Sequence, residues 1–408
     1  MKKVLIWDYF PLKNIGGPAG YSFNIHEYLR EHPTSQVSFL SDIVKENAVN
    51  VEFDYPQFPQ KQYNSRIGQL WQQLYRIYFF CFKPFLIKPN DVPLNIDINI
   101  YDYIHVHMVP HVSQVKRLFP RYRGKILLTT HCPCTWTEEN MGHVARTESK
   151  LYRFLRTLKP LILSLENHAY ESADYIIFPC KGAKEPYEKE PHIKHTFEKH
   201  SKKFLYIPTA IIDYHSDVKT MQRFYDFDIP KDAFVITYFG RHIPIKGYDI
   251  LSSLGIKLLN KYPNLYFLCA GNGPIEPPQH PRWIELGFIN NVDDLLPQGS
   301  LYVLPNRETY FDLITLQILR AGVPLVLSTT GGNKFFEELP LVETKGMTFF
   351  DINDEKQLET IVEQLIHLKS DNPKEYEKMR QSNRKLFERY FTLDKYISKY
   401  IESINALP

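Results

Sequence analysis

The chain has 408 residues, of which 43% are hydrophobic and 23% charged, with a formal net charge of +3. That length exceeds one ordinary core and predicts two domains of roughly 200 residues each. The balanced charge, with no long Lys/Arg run, speaks against a nucleic-acid protein.

Five cysteines, Cys81, Cys132, Cys134, Cys180 and Cys269, make an odd count. Three of them end or follow apolar runs, which predicts reduced thiols in a cytoplasmic protein rather than a disulfide framework. Cys132-Pro133-Cys134 is too close for a usual zinc pair and has no second pair. The first apolar stretch stops at Asp8, so it reads as a strand and not as a signal peptide. No run approaches the ~18–20 apolar residues that cross a bilayer.

In the first half, short apolar runs at 4–7, 37–40, 103–107, 126–130, 175–179 and 204–207 read as strands. Largely apolar runs of this length suggest strands buried on both faces, as in parallel sheets. After the first run, Gly16-Gly17-Pro18-Ala19-Gly20-Tyr21 precedes a predicted helix over 22–30. It lacks the Gly-x-Gly-x-x-Gly spacing of a dinucleotide fingerprint. A glycine pair there lets backbone approach a phosphate and offers amide donors, or it is a plain strand–helix turn.

Segment 66–88 interleaves Leu70, Trp71, Leu74, Tyr75 and a run of phenylalanines with Arg66, Arg76, Lys83 and Lys88. Aromatic and basic residues on an amphipathic helix suit peripheral contact with an anionic membrane. A buried helix at a domain edge is the competing reading.

His105 and His107 alternate on one strand face, with His111 beyond, but no carboxylate completes a metal set. Thr129-Thr130-His131 ends the next run. The charged stretch 181–203 reads as helix or exposed loop, and the polar stretch 209–231, ending at Pro230, as the domain boundary. Asp226-Phe227-Asp228 has a metal-binding form but reads as a turn in the linker.

In the second half the strand-like runs are 234–239, 266–270, 283–286, 301–304, 325–328 and 347–350, with helices between many of them, as at 248–262 and 313–321. Strand–helix alternation repeated twice predicts two doubly wound α/β domains. The final part, 374–404, reads as two helices broken near Phe391-Thr392, with Thr392 as N-cap. Domain bounds of 1–215 and 216–385 follow, with a last helix, 386–408, crossing back to the first domain.

Gly240-Arg241-His242-Ile243-Pro244-Ile245-Lys246-Gly247 leaves a strand end and leads into a helix. It places two cations and a helix dipole where α/β sheets bind ligands. Downstream come Ala270-Gly271-Asn272-Gly273-Pro274, then Glu308, then Phe311-Asp312-Leu313-Ile314, and a helix ending in Gly322-Val323-Pro324. This order resembles the C-terminal domain of family 4 glycosyltransferases, which are retaining enzymes of the GT-B fold: two Rossmann-like domains facing a central cleft.

The resemblance implies that Arg241 and Lys246 contact the diphosphate of a nucleotide sugar, most simply a UDP-sugar. It implies that Glu308 and His131 act at the transferred sugar. It further implies that Gly16, Gly17, Gly240, Gly273, Leu313 and Ile314 line the donor, that the acceptor is a glycan, lipid-linked or protein-linked, and that no metal or other cofactor is used. Bacterial surface polysaccharide biosynthesis is the implied setting. The ribose-contact glutamate of the family falls at Gln317, one residue further from Glu308 than is common. Gln can still bond a hydroxyl but supplies no negative charge, so the contact is neutral, the donor differs, or Asp312 provides the carboxylate. A GT-B-type nucleotide-sugar epimerase and an inactive nucleotide-sugar-binding scaffold remain as alternatives.

Overall fold

A computed structural model describes residues 1–13, 17–47, 57–59, 65–86, 96–145, 149–213, 227–289, 292–340 and 345–408. It divides into two compact units: residues 1–179, 184–207 and 397–408 form the first, and residues 180–183 and 208–396 the second.

The first unit is built on β1 (Val4–Trp7), β2 (Val37–Phe39), β3 (Tyr103–Val106), β4 (Lys125–Thr129), β5 (Tyr175–Phe178) and β6 (Phe204–Tyr206). They form one sheet in the order β2-β1-β3-β4-β5-β6, and every pairing is parallel. All four residues of β1 and of β3 are buried, as strands covered on both faces require.

The second unit repeats the plan with β7 (Phe234–Phe239), β8 (Leu265–Ala270), β9 (Trp283–Glu285), β10 (Leu301–Leu304), β11 (Leu325–Ser328) and β12 (Met347–Phe350). Its order is β12-β11-β10-β7-β8-β9, again all parallel. Each predicted strand is present, and several end one residue early. Pro179, for example, has no N–H to give to a ladder, so β5 stops at Phe178.

Helix ends follow local chemistry. The helix Leu313–Ala321 stops at Gly322, whose left-handed backbone (φ 65°) lets its N–H return to Ile318 and Leu319. The first helix starts at Gly17, five residues before the predicted start. Stretch 181–203 takes the helical alternative, with helices Glu185–Glu188 and Pro191–Lys199.

The C-terminal helices, Pro373–Tyr390 and Leu393–Ala406, break where predicted. The predicted cap at Thr392 does not form: its Oγ1 is buried with no hydrogen-bond partner among the described residues. Its backbone is engaged instead in an isolated parallel bridge to Ile211. Residues past 396 pack with the first unit, where the Tyr400 hydroxyl lies 2.8 Å from His105 Nδ1 and Asn405 accepts from the Lys2 amide at 3.1 Å.

Segment 65–86 opens on Ser65, whose hydroxyl caps the Gly68 amide, and runs as a helix over Arg66–Ile77. One π turn, Tyr78–Phe82, precedes Lys83–Leu86. The irregularity sits where Pro84 cannot donate to the carbonyl four residues back.

Candidate functional site

In the second unit the chain runs outward from β7 to β8 and β9, then returns to the other side of β7 with β10, β11 and β12. The loops leaving β7 and β10 therefore diverge at a topological switch point, where open α/β sheets bind ligands. Four loops meet there, backbone on backbone. Gly240 N donates to Ala270 O at 2.9 Å, His242 N to Asn272 O at 3.0 Å, Arg307 N to Ile245 O at 2.9 Å and Gly332 N to Thr309 O at 2.9 Å.

Glycine is required at these contacts. A Cβ on Gly247, which is also left-handed at φ 67°, would lie 1.8 Å from Pro305 O, and one on Gly332 would lie 1.8 Å from Tyr310 O. Gly273 likewise presses on His242 O, 2.2 Å from where its Cβ would stand.

This platform holds Lys246 at the end of the short turn Pro244–Lys246. Its Nζ donates to both oxygens of Asp312, at 2.8 and 2.7 Å. Asn306, fully buried, donates to Asp312 Oδ2 at 2.6 Å. Asp312 stands at the N-cap position of the helix Leu313–Ala321, yet its side chain makes no cap hydrogen bond among the described residues. The carboxylate is turned onto Lys246, and the leading amides of Leu313 and Ile314 stay unbonded by it. The sequence offered Asp312 as a ribose carboxylate; the structure makes it the partner of Lys246.

Arg241 is exposed, and its carbonyl accepts from the Tyr238 hydroxyl at 3.1 Å. Arg307 grips the loop from beneath, pairing with both oxygens of Asp249 at 2.7 and 2.6 Å and with Pro244 O at 2.6 Å. This pair raises the Arg307 pKa and lowers that of Asp249. Glu308, next to it, is half-buried on the loop that Gly331 and Gly332 close from behind. Gln317 turns its amide to Asp293 Oδ1 at 3.3 Å, and Asp293 is also paired with the buried Arg320. Burial raises the Asp293 pKa and Arg320 opposes the rise.

Sequence reasoning missed the buried group behind the loop. His242 stacks on Tyr248 at 3.7 Å, and the Tyr248 hydroxyl donates to Glu285 at 2.8 Å. His242 Nε2 lies 3.3 Å from Glu285 Oε1, within ion-pair distance but without hydrogen-bond alignment. Burial pushes both groups toward their neutral forms. The signal was present only as the histidine inside the Gly240–Gly247 motif.

In the first unit, His131 lies just past β4. Its Nε2 is 3.2 Å from His107 Nδ1, and Tyr21 lies 5.0 Å from its ring. His105 is bracketed by the Thr129 hydroxyl and Tyr400. Burial pulls His105, His111 and His131 down to about 3, and His107 well below its usual range. These rings are neutral hydrogen-bonding groups at physiological pH.

Gly17 opens its helix at φ 58° with no described atom within 4 Å of a would-be Cβ. Gly16 lies outside the described residues, as does Asp226; Asp228 takes a left-handed turn at φ 58°. Among the described residues no group of three or more His, Cys, Asp or Glu could hold a metal ion.

Asp8, at the end of β1, is fully buried. Its Oδ1 accepts from the Ser41 amide at 3.0 Å, and its Oδ2 has no partner among the described residues. Burial raises its pKa to about 6 from 3.8. A raised acid stabilises the fold in its protonated form, fully below the unfolded value, and that contribution is lost as pH climbs through about 6. Asp8→Asn is therefore expected to gain thermal stability over the wild type as pH rises from 4 to 7. The gain is at most about 3 kcal/mol, less the cost of the new amide. Paired melts across that range check it; a difference constant with pH would overturn it.

Two Rossmann-like units, each a six-stranded parallel sheet, give the GT-B fold. Over its whole length the structure resembles sucrose-phosphate synthase from Thermosynechococcus elongatus, with a TM-score of 0.62, 14% identity and 100% of each chain covered. It also resembles HepE from Anabaena in complex with UDP, with a TM-score of 0.62, 12% identity and 100% of each chain covered. Residues 233–368 match the family model described as Glycosyl transferases group 1.

Among curated proteins, an O-antigen biosynthesis glycosyltransferase, WclY of Escherichia coli, is 25% identical over 45% of this chain and 49% of its own. The GPI3 subunit of a phosphatidylinositol N-acetylglucosaminyltransferase from Saccharomyces cerevisiae is 27% identical over 25% of each chain. The chain thus spans about half the length or less of the curated relatives it matches.

Proposed function

We propose that the protein is a retaining glycosyltransferase. It moves a sugar from a nucleotide diphosphate donor, UDP-linked in the simplest case, to a glycan, lipid-linked or protein-linked acceptor of a surface polysaccharide or glycoconjugate. The work is done in the cytoplasm.

The observation that carries this reading is the fixed ammonium of Lys246. It is held by Asp312 and Asn306 at the mouth of the helix Leu313–Ala321, on a loop platform that glycines alone can close. A departing diphosphate gains negative charge, and oriented cations with helix amides stabilise that charge in the transition state. We assign Lys246 and Arg241 to the diphosphate, with Gly240, Gly273, Leu313 and Ile314 around it, and assign no metal. Glu308 takes the hydroxyls of the transferred sugar. Gln317, backed by Asp293, takes the ribose through its amide oxygen. For the first unit we assign His131, neutral and 3.2 Å from His107, to a sugar hydroxyl and Gly17 to the donor.

The solved HepE structures hold UDP and UDP-glucose, and the WclY relative is described as an O-antigen enzyme. Both fit this reading. Incubation with a panel of radiolabelled nucleotide sugars, with and without acceptor glycans, tests it. Transfer with the donor's anomeric configuration preserved in the product supports it. Inversion removes the retaining mechanism, and binding of nucleotide without any turnover assigns a scaffold.

A further inference from the structure

The helix Arg66–Ile77 shows its apolar stripe to solvent. Ile67, Leu70, Trp71, Leu74 and Tyr75 follow the i, i+3, i+4, i+7, i+8 spacing of one helix face and are each between 39% and 70% exposed. A helix in a globular core turns such a stripe inward. Here the inward contacts are made further along, where Ile77, Phe79, Cys81 and Phe85 are buried and Phe85 packs edge-on to Trp136 at 4.7 Å. Arg76 ties the helix down through the His143 carbonyl at 2.7 Å. Among the described residues Phe58 meets the last member of the stripe, Tyr75, at 5.8 Å; the stripe stays exposed all the same, and a contiguous exposed apolar patch marks an interaction surface.

Its charge narrows the partner. Residues 65–86 contain Arg66, Arg76 and Lys83 and no Asp or Glu. A second copy docked face to face about a two-fold axis would bring these cations together with no carboxylate of the segment to pair them. An anionic bilayer supplies the missing negative charge, and Trp and Tyr are the residues that settle at its headgroup level. Among the described residues no helix is long and apolar enough to cross a membrane, so the contact is with the surface. We propose that the helix Arg66–Ile77 is a docking surface for the anionic face of a lipid bilayer, lying in the membrane plane with Leu70 and Trp71 inserted. This holds independently of the donor-site reading.

Trp71 gives a direct readout, because the other three tryptophans, Trp7, Trp136 and Trp283, are buried. The full chain is mixed with vesicles of phosphatidylcholine alone or containing roughly one third phosphatidylglycerol. Expected are a blue shift of tryptophan emission and co-sedimentation with the anionic vesicles, at least about tenfold stronger than with the neutral ones and weakened by salt. Trp71→Glu and Leu70→Glu should lose that binding by about tenfold or more while keeping the wild-type melting temperature, since the face is exposed. Failure of the wild type to bind anionic vesicles overturns the proposal, as do variants that bind as the wild type does. A wild type that is dimeric by light scattering, is made monomeric by Trp71→Glu and ignores vesicles also overturns it and assigns the face to a second copy.

Discussion

Lys246→Ala is expected to cut sugar transfer by roughly 10²–10³-fold and to weaken nucleoside diphosphate binding. Three features of the fold make the effect large. The turn Pro244–Lys246 is fixed by Gly247 against Pro305 and by the Arg307–Asp249 pair, so the ammonium is held in place before the donor binds. The ammonium is half-buried, where its field is less screened than in open water. Its removal also uncovers the Asp312 carboxylate, leaving Asn306 as its hydrogen-bond donor, and a bare carboxylate repels the phosphates that Lys246 would have held. This last point yields a sharper form of the test. Asp312→Asn alone should cost about tenfold, by loosening Lys246. The double variant should lose less than the sum of the two single losses, because the uncovered charge is gone. Steady-state kcat/KM with the cognate donor and calorimetric titration with UDP measure both effects. Near-normal turnover in Lys246→Ala, or strict additivity in the double variant, would remove the diphosphate role.

The pattern of buried apolar runs made the twelve strands of the described residues legible, because a parallel sheet covered on both faces writes itself as short, largely apolar runs. The Gly322 stop was legible too, since a left-handed C-terminal residue has a strong chemical preference. The site was legible as a set of loops but not as a set of contacts. Lys246 and Asp312 are 66 residues apart and Gln317 and Asp293 are 24 apart, and nothing local in the chain pairs them. Asp312 illustrates the point: by type and position it could have been a helix cap or a sugar ligand, and only the approach of the β7 and β10 loops turns it to Lys246. Segment 66–88 failed in another way. Its composition served a buried helix and an exposed one equally well, and the choice is made by which face the rest of the unit covers.

Glu308→Gln separates the two ends of the donor. The substitution keeps the size and one acceptor oxygen of the side chain and removes its charge. Glu308 is half-buried on the loop that follows β10, and the backbone on either side of it is held from beneath. Arg307 N bonds Ile245 O, and Gly332 N bonds Thr309 O. The variant should therefore fold and melt as the wild type does. If the carboxylate holds hydroxyls of the transferred sugar, its strongest contact develops as the anomeric centre gains positive charge. The loss then falls on kcat, by roughly 10²–10³-fold, while affinity for free UDP changes by less than about twofold. Lys246→Ala should behave differently, losing both together, because its partner is present in substrate, product and transition state alike. Measuring kcat and UDP dissociation constants for both variants side by side distinguishes the roles. Equal losses of rate and UDP affinity in Glu308→Gln would move Glu308 to the nucleotide end and leave the sugar without its assigned carboxylate.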